Sequence, residues 1–266
     1  MNTKKIKTIV RKEWAEVFKN RMVLFTVAFL PLMMTALPLG ILYGTGSAGM
    51  GEALNTEMPS QVMGAMCAQG LTTGECFQVY MVSQFMLMFM ILPMAIPGTI
   101  AAYSIVGEKT TRSLEPLLAT PITTAELLIG KCLAAVIPAV IATYGAFALF
   151  AAGSWILVAN KTLLAALLDA RWLIAIGIVG PLLAVLEVTF ALMVSSRVSD
   201  PRVAEQISMV IIVPLMAGFF GQMAGFFVLD RGLIAIIAVV MVFLDVLMAY
   251  FAVQVFQREA ILTRWK

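Results

Sequence analysis

Two carboxylates stand where carboxylates are expensive. Glu187 and Asp245 each fall inside a long apolar run. An ionisable group at such a place faces a partner, water or another helix. The chemistry open to this pair is cation or proton binding along a pathway, with Gln222 and Ser208 as helpers. The competing role is to hold helices together by hydrogen bonds in the protonated form. Glu187 is followed by "VTFALMVSSR", which sets it a few turns from the polar end of its run.

The other concentration of polar groups is "GEKTTRSLEPLLATPITTAELLIGK", residues 107–131. It holds three acids, three bases, five threonines and two prolines between strongly apolar neighbours. Thr123 and Glu126 make the S/T-x-x-E capping box, with Ile122 and Leu127 placed for a hydrophobic staple, so a helix is predicted from about Thr124. Upstream, a short helix is predicted that Ser113 can cap, that tolerates Pro116 in its first turn and that Pro121 limits. Leu114, Leu117 and Leu118 give this helix an apolar edge, and Lys109, Arg112 and Glu115 give it charge. Apolar knobs flanked by charges suit docking into a groove of a soluble partner. A connector that docks on nothing fits the same residues.

Other chemistries are thinly supplied. The chain has no histidine, which removes imidazole acid/base catalysis and imidazole metal ligation. Three cysteines make neither a disulfide framework nor an all-Cys zinc site. There is no G-x-S-x-G, no pair of catalytic aspartates and no G-x-x-x-x-G-K-[ST] nucleotide loop, so a membrane-embedded enzyme is a remote reading. Met86, Met88 and Met90 are the only tight methionine set among 19, and packing explains them more simply than thioether metal binding. The net charge is +3 with no basic stripe interleaved with aromatics, which argues against nucleic acid.

The elements that hold these residues follow from hydropathy. Of 266 residues, 61% are hydrophobic and 12% charged, about half the charge of a soluble domain. Six apolar runs, near 22–44, 80–106, 127–158, 172–195, 204–228 and 232–256, are each long enough to cross about 30 Å of hydrocarbon. The expected fold is therefore all-α, one six-helix transmembrane domain over 22–256. Pro93 and Pro97 predict a kink in the second span. Gly40/Gly44 and Gly221/Gly225 have the spacing that lets helices approach closely, a spacing also common by chance. Spans one to three do not repeat in four to six, against an inverted-repeat transporter.

Residues 1–21 carry seven bases and two acids. Ile6, Ile9, Val10, Trp14, Val17 and Phe18 recur at helical spacing, which predicts an amphipathic helix on the membrane surface with its bases toward anionic headgroups. With the N-terminus inside, 15 of the 18 Lys and Arg residues lie on the inner side, which predicts N-in and C-in with a cytoplasmic tail at 257–266. The 107–126 segment is then cytoplasmic. The 45–79 loop is external, and its charges are all acidic: Glu52, Glu57 and Glu75. Cys67 and Cys76 lie in it, where either a disulfide or two free thiols can exist.

The polar segment resembles the cytoplasmic segment of ABC-2 type transporter permeases. It matches at Glu108, Lys109, Ser113, Leu114, Glu115, Leu117, Leu118, Thr120, Pro121, Glu126, Gly130 and Lys131. "VRKEWAEVFKNR" is similar to that family's N-terminal surface helix, and "SSRVSDPRVAEQISMVIIVP" to its link into the fifth span. The closest likeness is to the bacterial sodium- and drug-efflux branch. The resemblance implies a membrane subunit of an exporter in the prokaryotic inner membrane. It implies a second permease copy or paralogue and two cytoplasmic ATPase subunits that carry ATP and Mg, this chain binding no cofactor. It makes Glu108, Arg112, Ser113, Leu114, Glu115, Leu117, Leu118, Thr120 and Pro121 the coupling residues. One departure is the short "FFVLDRG" link between spans five and six, where many members have a re-entrant hairpin. The alternative from the residues alone is an ion-coupled carrier or channel using Glu187 and Asp245.

Overall fold

The computed structural model describes residues 2–19, 21–47, 67, 70–110 and 122–256, and no strand occurs among them. Six helical stretches are long and apolar enough to cross a membrane. The chain starts with α1 (Thr3–Val17), whose N-cap Asn2 accepts the Lys4 N–H at 3.1 Å. α2 (Arg21–Ser47) is the first span.

The second span is two helices, α3 (Thr73–Phe89) and α4 (Leu92–Thr110). The break falls just before Pro93, where the ring removes a donor and crowds the preceding turn. The span begins at Thr73 and not at residue 80, because Thr72 and Glu75 form a second capping box. The Glu75 N–H donates to Thr72 Oγ1 at 3.3 Å, and the Thr72 N–H to Glu75 Oε2 at 2.8 Å. The predicted 45–79 loop is shortened accordingly. Cys67 and Cys76 are joined by a disulfide at this end of the span.

α5 (Thr124–Leu157) is the third span. The fourth starts early, with α6 (Lys161–Leu167) capped by Asn160 and α7 (Ala170–Ile174) capped by Asp169. It continues through a π-helical turn, Ala175–Val179, into α8 (Gly180–Arg197). The π turn has a clear cause. Pro181 has no N–H to give the Gly177 carbonyl its α-helical i+4 bond. Tyr144 on α5 donates its hydroxyl to the Gly177 oxygen at 2.8 Å, the satisfaction that backbone in a bilayer demands.

The fifth span is α9 (Pro201–Ser208), a 3₁₀ turn and α10 (Ile212–Met223). It stops short of residue 228 at Gly225, whose φ of +76° suits glycine alone. The sixth is α11 (Arg231–Val255), capped by Asp230. Around Gly40 and Gly44 no atom of the described residues lies within 4 Å of where a Cβ would stand, and a Cβ on Gly221 would meet Phe227.

α4 and α8 form the centre, with α5, α11 and α2 around them. Two apolar cores are the largest among the described residues. One gathers Met86, Phe89, Phe150, Trp172, Leu183 and Ile234. The other gathers Val17, Ile100, Leu128, Ala139, Leu192 and Phe256, at the end of the bundle that carries α1. Outward faces of α2, α10 and α11 keep large apolar side chains such as Phe25, Phe220 and Phe243 exposed, as a membrane solvent allows.

Candidate functional site

The structure concentrates its buried charge at the root of the polar segment. Thr123 caps α5, its Oγ1 accepting the Glu126 N–H at 3.2 Å, and the Thr123 N–H donates to Glu126 Oε2 at 3.1 Å. Glu126 Oε1 also accepts the Asn2 backbone N–H at 2.7 Å, and Lys5 Nζ stands 3.9 Å from Oε2. One carboxylate thus serves the N-termini of α1 and α5 together, where two positive dipole ends favour it.

Five residues further on, Lys131 is buried at 3% exposure. Its ammonium donates to Glu13 Oε1 at 2.8 Å and to Ser104 Oγ at 2.7 Å, and a third oxygen, Glu108 Oε2, stands 2.9 Å away as an ion-pair partner. Ser104 in turn donates to Glu13 Oε2 at 2.6 Å. Lys12 closes the outer side by donating to Glu108 Oε1, and it stands 3.8 Å from Glu16. α1 supplies Lys12 and Glu13, α4 supplies Ser104 and Glu108 four residues apart on one face, and α5 supplies Lys131. The four charged members sum to zero, the condition under which buried charge is tolerable.

Burial disfavours the Lys12 ammonium, but the hydrogen bond and charge of Glu108, with Glu13 and Glu16 beyond, outweigh it and raise its pKa above 10.5. The sign follows from linkage. Stability from this lysine is fully present below the ordinary lysine value and is lost only as pH climbs through the raised one.

The apolar stripe of α1 is spent on protein. Ile6, Ile9 and Val17 are buried, while Phe18 remains 37% exposed. A Cβ on Gly130 would come within 2.8 Å of Ile9 Cγ2, so glycine is what lets α1 lie this close to α5. Trp14 Nε1 donates to the Ala134 carbonyl at 2.9 Å. The helix predicted to rest its apolar face on lipid therefore rests much of it on the third span, which offers matched shape as well as dryness.

The predicted site residues are distributed unevenly. Glu108 faces inward into the ionic cluster. Arg112, Ser113, Leu114, Glu115, Leu117, Leu118, Thr120 and Pro121 lie outside the described residues. Glu187 is fully buried on α8, its carboxylate against Gly98 of α4, where a Cβ would lie 2.6 Å from Oε1. Asp245 on α11 and Gln222 on α10 are also buried. None of these three side chains has a hydrogen-bond partner among the described residues. Ser208 bonds its own helix at the Ala204 carbonyl. Among the described residues no three Cys, Asp or Glu side chains converge as a metal site.

Lys12, Glu13, Ser104 and Lys131 were not singled out by sequence reasoning as one site. A signal existed for two of them. Glu13 occupies a position on the stripe Ile6, Ile9, Glu13, Val17 that should be apolar, and Lys131 interrupts the apolar run "LLIGKCLAAV". Buried charges of opposite sign on neighbouring elements invite pairing.

A bundle of six apolar spans, with a polar segment rooted in a buried ion cluster, defines a multi-pass membrane protein. The chain matches the family model described as ABC-2 family transporter protein over residues 7–247, and it belongs to that family. It is thus the membrane permease of an ABC transporter, a subunit distinct from the nucleotide-binding enzyme, in a family that generally works with ABC ATPase subunits. Among curated proteins none matches it significantly.

Proposed function

We propose that the chain is the permease of an ATP-driven exporter, with residues 107–126 as the segment that receives the stroke of partner ATPases. The observation that supports this most is the continuity of the segment with the third span. The Thr123/Glu126 box starts a single helix that runs from Thr124 to Leu157, so a push on the segment acts on a lever long enough to cross the bilayer. Arg112, Ser113, Leu114, Glu115, Leu117, Leu118, Thr120 and Pro121 make the contact in this reading. Glu108 holds the segment's root. Two ATPase subunits carry ATP and Mg, and a second permease copy or paralogue completes the pathway. In this reading both termini face the cytoplasm, as the Lys/Arg distribution favours, the disulfide lies outside, and the family resemblance supports a prokaryotic inner membrane.

The test is purification in mild detergent from the native cell, with ATPase assayed on the eluate. A co-purifying P-loop ATPase that is lost from the Leu117→Asp/Leu118→Asp variant supports the reading. An abundant permease that carries no ATPase overturns it.

The buried carboxyls of Glu187 and Asp245, unpartnered among the described residues, favour one second reading, an ion-coupled carrier. Transport into vesicles without ATP, abolished in Glu187→Gln, would select it. Transport that is strictly ATP-dependent and indifferent to Glu187→Gln would remove it.

A further inference from the structure

The cluster around Lys131 is placed where it can do more than stabilise. Glu108 and Lys131 sit at the two ends of the polar segment, one on the second span and one on the third, and they are paired at 2.9 Å. The segment therefore leaves and re-enters the bundle through one joint. The third member, Glu13, belongs to α1, which is packed on α5 through Ile9 and Gly130 and through the Trp14–Ala134 hydrogen bond.

We propose that Lys131 is a positioning residue for coupling, fastening α1 and both roots of the polar segment into one rigid body that moves as a unit with the third span. The functional half of this inference rests on the ATP-coupled reading above, and the mechanical half does not.

The physical reason is the character of the joint. Apolar contacts slide, each step costing little. A buried ammonium held by three oxygens cannot slide, because any displacement leaves a charge desolvated and unpaired. Such a joint is either closed or broken. Held closed, it keeps the segment's roots from splaying. A force on the segment then turns the third span and carries α1 with it, rather than dissipating in the connection. α1 adds an outrigger. Its buried face is committed to α5, and Lys4, Lys7 and Arg11 are left on its exposed side.

Two measurements test this on the full chain in lipid nanodiscs, with its co-purified ATPase where one is present. The first is backbone hydrogen exchange. Lys131→Met should speed exchange in α1 by at least about ten-fold, a fold-change corresponding to about 1.4 kcal/mol, and leave α8 and α11 unchanged. Unchanged protection of α1 overturns the joint, whether or not an ATPase is bound.

The second is substrate moved per ATP hydrolysed. Lys131→Met should lower this ratio about ten-fold or more while ATP is still hydrolysed. Lys131→Arg, which keeps the charge, should recover part of it. An unchanged ratio of substrate moved per ATP in Lys131→Met would overturn the positioning role. If Lys131→Met does not fold, Glu13→Gln, which keeps hydrogen-bonding capacity, carries the same two readouts. A chain that shows the exchange effect but binds no ATPase would sink the coupling reading and leave the joint standing.

Discussion

The two ends of this bundle are fastened by opposite means. At the α1 end the fastening is ionic and buried: Lys131, Glu13 and Glu108 are sealed from solvent. At the other end it is dispersed. Gln78 donates to Thr45 at 2.9 Å, Asn160 donates to Glu75 at 2.6 Å, Arg231 pairs with Asp169 at 3.3 Å, and a disulfide joins Cys67 to Cys76. Each polar link at that end is partly exposed, so water can replace it. A buried ionic joint fails all at once. A set of wet hydrogen bonds loosens by degrees. The first can pass a displacement on whole, and the second can give while keeping its shape.

Breaking the buried joint should therefore cost most. Lys131→Met removes the cation 2.8 Å from Glu13 and 2.9 Å from Glu108. Removing one partner of a buried ion pair costs about 3–5 kcal/mol. The expected result is a large fall in thermal stability in detergent and early protease cleavage within α1. A variant with wild-type melting would show that the cluster is wetter than its burial implies.

The disulfide ranks second. Cys67→Ser opens a link between residues nine apart, for which about 2–3 kcal/mol is the usual scale. Melting with and without reductant measures it. Wild type should fall toward the variant when reduced, while the variant should not respond. The effect should stay at the disulfide end, leaving exchange in α1 untouched.

How far the sequence predicted each end is itself instructive. The Thr123/Glu126 cap was legible because both partners lie within four residues and their spacing is diagnostic. The identical pattern at Thr72/Glu75 went unread because Gly-rich and Cys-bearing surroundings argued for loop. The six spans were legible from hydropathy, which needs no tertiary knowledge. The π turn was not, since its cause joins Pro181 to Tyr144 on another helix. The ion cluster was illegible as a unit because its contacts span separations of 118 and 91 residues. Nothing local states which buried acid meets which base. Each member could be flagged as misplaced in an apolar pattern, and only the fold could pair them.

Third comes the cap at the root of the segment. Thr123→Ala removes the side-chain acceptor for the Glu126 N–H, a change worth about 1 kcal/mol. Glu126 would keep the Asn2 N–H, so α1 should stay docked while the first turn of α5 frays. Hydrogen exchange resolves the two. Faster exchange confined to residues 124–127 fits the cap reading, and faster exchange through α1 as well would mean that Glu126 depends on Thr123 for its aim.

The smallest effect belongs to the exposed pair at the other end, and it sharpens the comparison by its salt dependence. Arg231→Ala removes the 3.3 Å contact with Asp169, and exposed pairs contribute under about 1 kcal/mol. Asp169 also accepts the Arg171 N–H as the cap of α7, so the carboxylate keeps a partner. The shift in melting should be slight in dilute buffer and vanish by about 1 M salt, where screening acts within about 3 Å. The same salt should scarcely move the penalty of Lys131→Met, because ions do not enter a sealed cluster. Equal salt dependence at both ends would erase the distinction between them and make the α1 joint one more surface network.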